Sequence, residues 1–187
     1  MTHAQATRQC LVVIDMQNDF ITGSLGTPEA VAIVPSVTRK MECFEGPIYL
    51  TQDSHGEDYL ASQEGRLLPA LHCQEGTSGW ELVAPVEAIR RRKGLPVYLK
   101  NGFTSLDLVH ELARAHAQEP FSSIEIIGLC TDICVVSNAL ALKAALPEVE
   151  LRIDPACCAG TSPERHRAAL ATMQSCQIVG ADACQKQ

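Results

Sequence analysis

Gly128-Leu-Cys-Thr-Asp-Ile-Cys134-Val-Val136 is the stretch on which the reading of this chain turns. Just before it, Ser123-Ile-Glu-Ile-Ile127 is short and apolar, as a strand is. After it, Ile133, Val136, Leu140 and Ala144 recur at helical spacing. Cys134 is therefore expected in the first turn of a helix that follows a strand almost directly. A thiol there feels the positive end of the helix dipole, which favours the thiolate. Backbone N–H groups at a helix start lack partners, so they can hold an oxyanion. The plainer alternative makes Cys134 a small core residue, since free cysteine is often buried.

Outward from that stretch, further strand-like runs fall at 10–15, 48–51, 95–100, 149–153 and 176–179. Residues 10–15 are continuously apolar up to Asp15, as in a strand buried on both faces. Helical patterns occupy 34–44, 81–92, 106–117 and 161–173, with Ser105 as one N-cap. The last opens on Thr161-Ser-Pro-Glu164, which offers either a Ser162 cap with Pro163 at the first position or a Thr161–Glu164 capping box. Residues 16–20 and 23–28 read as loop, and 53–79 as a long irregular segment. A segment of that length is usually functional or disordered, and its histidines and acids argue for function.

Strands alternating with helices mean βαβ units and a parallel sheet. In such sheets ligands gather outside the carboxyl ends of the strands. Asp15, Lys100 and Cys134 each stand at or just after such an end, so three reactive side chains from separate strands converge on one edge. A lysine cation beside the thiol lowers its pKa, and a carboxylate takes its proton. The alternative is a structural Asp15–Lys100 ion pair. The long segment adds a second group. Asp53 and His55 are two apart and share a side in extended chain; Glu64 and His72 follow. Two histidines and two carboxylates suit a borderline divalent metal, Zn, Mn or Fe(II), with Cys73 ranked below them as a ligand. The alternative there is a polar surface loop.

At 187 residues, with 46% apolar and 20% charged residues, the chain reads as one ordinary globular domain over 1–187, its core about 10–180. Net charge is −7, and the one basic run, Arg90-Arg-Arg-Lys93, fits a helix C-terminus. Nucleic acid is not expected as a partner. Residues 1–9 lack the apolar core of a signal peptide, and no apolar run approaches a membrane span. Nine cysteines, several inside element patterns, read as reduced thiols in a cytoplasmic protein. Cys157, Cys158 and Cys176 are expected to pack, and Cys184 to be exposed and oxidisable.

Ile14-Asp-Met-Gln-Asn-Asp-Phe20, Thr51-Gln-Asp-Ser-His55, His72-Cys-Gln-Glu-Gly-Thr-Ser-Gly79, Lys100 and Gly128-Leu-Cys-Thr-Asp-Ile-Cys134-Val resemble the isochorismatase-like cysteine hydrolases. The resemblance spans about residues 10–180 in the right order. It implies a doubly wound, six-stranded, mainly parallel sheet with helices on both faces. It implies an Asp15, Lys100, Cys134 triad, a thioester intermediate and a homo-oligomer.

Within the family the chain looks most like the nicotinamidase and pyrazinamidase branch. There, positions matching Asp53, His55 and His72 bind one metal ion, and Glu64 matches a further ligand of some members. The resemblance also implies a cis peptide between Leu129 and Cys130, which turns the Cys130 amide toward the same oxyanion as that of Cys134. The expected reaction is hydrolysis of nicotinamide, or a similar small amide, to the acid and ammonia. Alternatives are another family hydrolase acting on a carbamoyl or ureido compound, and a non-catalytic binding member. The chain departs from the branch in having no ring in Leu67-Leu-Pro-Ala-Leu-His72, which leaves Phe20 and Phe103 as pocket aromatics and Trp80 as packing. It also carries Cys130 where alanine is common, so a Cys130–Cys134 disulfide is conceivable and would destroy the site.

Overall fold

The computed structural model describes residues 8–180. Most of the N-terminal segment read for a leader, and Cys184, lie outside the described residues. Six strands form one sheet: β1 (Arg8–Ile14), β2 (Ile48–Asp53), β3 (Val97–Lys100), β4 (Phe121–Leu129), β5 (Glu150–Ala159) and β6 (Val179–Gly180). Their order is β3-β2-β1-β4-β5-β6, and every pair is parallel. The chain winds outward from β1 to β3, returns beside β1 as β4, and winds outward again. The order therefore reverses between β1 and β4, where a parallel sheet opens its ligand crevice.

The helices are α1 (Asn18–Ile21), α2 (Pro28–Cys43), α3 (Gln63–Leu67), α4 (Ala84–Lys93), α5 (Leu106–Gln118), α6 (Val136–Ala145) and α7 (Pro163–Ser175). They cover both sheet faces, which is why Cys10 to Ile14 are all buried and the strand reads as an unbroken apolar run. Among the described residues no helix is long and apolar enough to cross a membrane.

Several boundaries differ from the sequence reading, each for a local reason. The helix expected from residue 34 begins at Pro28, because Thr27 caps it by accepting the Ala30 N–H at 3.1 Å and Pro28 fits the first turn. Pro35 lies inside it and marks no start. Strand β5 runs through Pro155 to Ala159, six residues past its expected end. At the other cap the Ser162 alternative holds: Ser162 Oγ accepts the Arg165 N–H at 3.3 Å. Cys157 and Cys158 are buried as expected, whereas Cys176 is exposed, since it caps α7 and precedes β6. All eight described cysteines are free. The segment 53–79 is more ordered than expected, with a 3₁₀ turn (Tyr59–Ala61) and α3.

Two features of the packing matter below. At the β1–β4 seam, Ile14 stands in register with Gly128, whose φ is +115°. A Cβ at residue 128 would lie 2.1 Å from the Ile14 carbonyl oxygen, so only glycine lets the strands meet there. Beneath α2, Lys40 is buried between Glu125 of β4 and Asp154 of β5, with Nζ 2.6 Å from Asp154 Oδ2 and in contact with Glu125 Oε1.

Candidate active site

Asp15 follows β1 directly, at φ 47°, and is completely buried. Thr51 of β2 fixes it twice: its hydroxyl donates to Asp15 Oδ1 at 2.6 Å and accepts the Asp15 N–H at 3.2 Å. Lys100 ends β3 and sends Nζ to 2.7 Å from Asp15 Oδ2, 3.0 Å from Asp53 Oδ1 and 3.4 Å from Cys134 Sγ. Asp15 Oδ2 has the ammonium beside it but no aligned hydrogen bond. Cys134 is buried in a π-helical turn (Thr131–Val135) that leads into α6. The Leu129–Cys130 peptide is cis, as the resemblance implies.

Burial sets the protonation of this group. It raises the Asp15 carboxyl, against the pull of Lys100 and with the push of the Asp53 charge. It also pushes the Cys134 thiol well above its ordinary value; Asp15 and Asp53 act the same way, and Lys100 opposes them only in part. Desolvation and two nearby carboxylates thus work against the thiolate that the helix start and Lys100 favour. Lys100 itself is held firmly as a cation: burial works against it, but Asp15, Cys134 and Asp53 prevail.

The second group assembles as the spacing implied. Asp53, His55 and His72 are all buried, and one ligand atom from each lies within 4.8 Å of the others. Glu64 Oε1 from α3 reaches 4.0 Å from His55 Nε2 and 3.9 Å from His72 Nε2. His72 is oriented by a 2.8 Å contact from Nδ1 to the Ala70 carbonyl, which leaves Nε2 facing the carboxylates. His55 Nε2 is 3.0 Å from Asp53 Oδ2 yet has no aligned hydrogen-bond partner, a buried lone donor–acceptor of the kind a metal ion satisfies. Burial lowers the His55 pKa, but Asp53 and then Glu64 raise it further, so the group draws positive charge. The residues present fit a divalent ion. Cys73 is no part of the group: it is buried, and its thiol is pushed far up by desolvation and surrounding carboxylates.

The strand ends alone do not bring these pieces together. Gln17 donates to the Asp53 and Trp80 carbonyls at 2.8 and 2.9 Å and accepts the Asp53 N–H at 2.7 Å. Asp19 Oδ2 accepts the Cys73 N–H at 2.8 Å, and the His55 N–H donates to the Cys73 carbonyl at 2.9 Å. The motif after β1 thus clamps His55 and His72 together. Tyr59 packs 4.6 Å from the His55 ring and 5.0 Å from the His72 ring. Sequence reading missed Gln17, Thr51 and Tyr59; the one signal for Tyr59 was its being the only phenol in the long loop. It also missed that Asp53 serves both groups, Oδ1 toward Lys100 and Oδ2 toward the imidazoles.

A pocket of about 670 Å³ opens over the thiol. Phe20 and Phe103 line it as expected, with Leu25, Leu67, Leu68 and Ile133 adding apolar wall. Asp53, Glu64, His72, Cys130 and Cys134 also face it, as do Thr161, read from the sequence only as a helix-start residue, and Arg165, which the sequence reading did not consider. Trp80 lies outside this lining; its indole N–H donates to Ser54 at 2.6 Å.

The Isochorismatase domain family matches residues 9–183. A nicotinamidase of Acinetobacter baylyi is 27% identical, with 76% of this chain and 78% of that protein covered. The crystal structure of a nicotinamidase/pyrazinamidase from Bacillus subtilis superposes with a TM-score of 0.81 at 26% identity, over 94% of this chain and 100% of that one. A pyrazinamidase of Pyrococcus horikoshii, solved in complex with zinc, gives 0.75 at 25% identity, over 94% and 99%.

Proposed function

The chain belongs to the isochorismatase family, and within it we propose a metal-containing cysteine amidohydrolase that converts nicotinamide, or a similar small amide, to the carboxylic acid and ammonia. The observation that carries this reading is the position of Lys100 Nζ, 2.7 Å from Asp15 and 3.4 Å from Cys134 Sγ, beside the Asp53–His55–His72 group. Nicotinamidase relatives and the zinc complex of a pyrazinamidase support it.

In this reading Asp15 Oδ2, which lacks an aligned hydrogen bond, takes the Cys134 proton as the amide enters. The sulfur attacks the carbonyl carbon, and the backbone N–H groups of Cys130 and Cys134 hold the developing oxyanion. Asp15 passes its proton to the departing nitrogen, the C–N bond breaks, and a thioester remains. Asp15, again a carboxylate, takes a proton from water as that water attacks the thioester, and the acid leaves with Cys134 restored as a thiol. Lys100 keeps its proton throughout and balances whichever of Asp15 and Cys134 is anionic. Asp53, His55 and His72, with Glu64 at its edge, would hold a divalent ion, zinc by analogy or Mn or Fe, which supplies a Lewis-acid anchor for a basic ring nitrogen. We also propose a cytoplasmic, reducing setting, which a thiol nucleophile requires, and a homo-oligomer, to be read by sedimentation.

Ammonia release from nicotinamide, followed in a preparation of known metal content, tests the reading. Release is expected to fall on chelation and to return with Zn, Mn or Fe. A folded, metal-loaded protein that releases none would reject nicotinamide and transfer the reading to carbamoyl or ureido substrates.

A further inference from the structure

Among the described residues, Arg165, an exposed side chain at the pocket's rim, is the one lysine or arginine lining the pocket over Cys134. Most described arginines hold a carboxylate: on the same helix Arg167 reaches Glu164 at 3.2 Å, and on α5 Arg114 reaches Glu111 at 2.5 Å. Arg165 has no such partner within 4.0 Å among the described residues. Its one side-chain hydrogen bond is a long contact, 3.4 Å from Nη1 to the neutral Thr161 hydroxyl. That hydroxyl accepts this one N–H while donating its own proton to Asp132 Oδ2 at 2.6 Å. Most of the five N–H donors of the guanidinium are therefore free to meet a ligand.

The sheet fixes where that cation stands. Along the carboxyl edge the order is β2, β1, β4, β5. Asp53 ends β2, Cys134 follows β4, and Arg165 lies in the first turn of the helix after β5. The nucleophile is thus between the Asp–His–His group on one side and Arg165 on the other. Phe20, Leu25 and Ile133 add apolar wall to the same pocket. A cavity of about 670 Å³ is in the range that encloses drug-sized ligands, more than a single ring with one amide needs.

Resting on the amidohydrolase reading above, we propose that Arg165 is a specificity-determining residue and that the preferred amide carries, besides the ring nitrogen turned toward Asp53, His55 and His72, a carboxylate on the side of Cys134 where Arg165 stands. A guanidinium takes a carboxylate through two parallel hydrogen bonds, which fixes orientation as well as charge. Such a molecule is then held at two points besides its scissile amide, which rests over Cys134.

The test compares 5-carbamoylpyridine-3-carboxylate with its methyl ester, which keeps the carbonyl at that position, adds a methyl group and lacks the negative charge. In the wild-type protein kcat/KM is expected to favour the carboxylate by about tenfold, the size of one charge-assisted hydrogen bond in a partly enclosed site. In Arg165→Gln the ratio should fall to about one, mainly through KM, and Arg165→Lys should recover part of it. A ratio unchanged by Arg165→Gln, or a wild-type protein that does not distinguish the two, overturns the proposal. Calorimetric binding of 5-carbamoylpyridine-3-carboxylate to metal-loaded Cys134→Ala, with and without Arg165→Gln, keeps this separate from the amidase reading. Failure of all hydrolysis would reject that reading, while an affinity about tenfold weaker in the double variant would still support Arg165. Equal affinities would reject it.

Discussion

Lys40 and Lys100 are both buried lysines held between two carboxylates, and they end in different roles. Lys40 reaches up from α2 to Glu125 and Asp154, and Asp154 Oδ1 also accepts the Ala156 N–H at 2.9 Å. Its pKa is held up to about 12, because the two acids outweigh its burial. Lys100 reaches Asp15 and Asp53, but those carboxylates keep unfinished business: Asp15 Oδ2 lacks an aligned hydrogen bond, and Asp53 Oδ2 faces two imidazoles. A thiol shares the ammonium, and a cavity opens above it. A buried ion cluster becomes a site when one of its acceptors is left over and a path leads to it. When no acceptor is left both buried and unpaired, the cluster only fixes how a helix sits on a sheet.

The largest expected contrast is in activity. Lys100→Met should lower kcat by about 10³-fold or more, as removal of one member of a catalytic unit does. A smaller loss in initial-rate assays would move Lys100 to the same structural role as Lys40. Lys40→Met should do the reverse. It leaves Glu125 and Asp154 as uncompensated buried acids, so stability should fall by about 3–5 kcal/mol, while kcat/KM of the folded protein is kept. Urea or thermal unfolding reads this; for a chain of this size Tm should drop by about 10 °C.

The next effect is in pH. The folded pKa of Lys40, about 12, lies above the unfolded value of a lysine, about 10.4. The folded state therefore binds this proton more tightly. The stabilisation, about 2 kcal/mol, is complete below about pH 10 and is lost as pH rises through 12. The stability gap between wild type and Lys40→Met should narrow between pH 9 and pH 11.5 in urea titrations; a constant gap would show that the lysine acts through packing. The smallest effect is expected from Thr51→Val, which keeps the shape and removes the 2.6 Å hydrogen bond to Asp15. Activity should fall about tenfold, the worth of one hydrogen bond to a charged group, with folding nearly unchanged.

The two clusters also differ in how far the sequence betrays them. Asp15, Lys100 and Cys134 could be read because each closes or follows an apolar strand, and a parallel sheet sends such residues to one edge. Glu125 is visible only as a charge in the middle of Ser123-Ile-Glu-Ile-Ile127, and neither Lys40 nor Asp154 announces itself, because their meeting depends on how α2 lies across the sheet. Asp53, His55 and His72 were legible as ligand types, but the loop that delivers them was not. Its 3₁₀ turn, α3 and the Gln17 and Asp19 clamps are set by long-range hydrogen bonds without periodicity. Two element ends fell elsewhere than expected: α2 starts at Pro28 and carries Pro35 inside it, and β5 continues through Pro155 to Ala159. The sequence shows the helix dipole, a local property of the chain, but not the burial and the charges of Asp15 and Asp53 that work against the thiolate in the assembled site.

Gly128 gives the active edge its dimension. The backbone of β4 comes so near Ile14 at this point that a single added carbon would have to occupy the space of a carbonyl oxygen. Asp15 is the next residue along one strand, and the turn bearing Cys134 begins three residues along the other. The gap a proton must cross from sulfur to carboxylate is therefore gauged by a side chain that consists of one hydrogen atom. A methyl group there would leave every reactive residue in place by name and widen the spacing between them, so the chain could keep its whole chemical inventory and lose the reach on which that inventory depends.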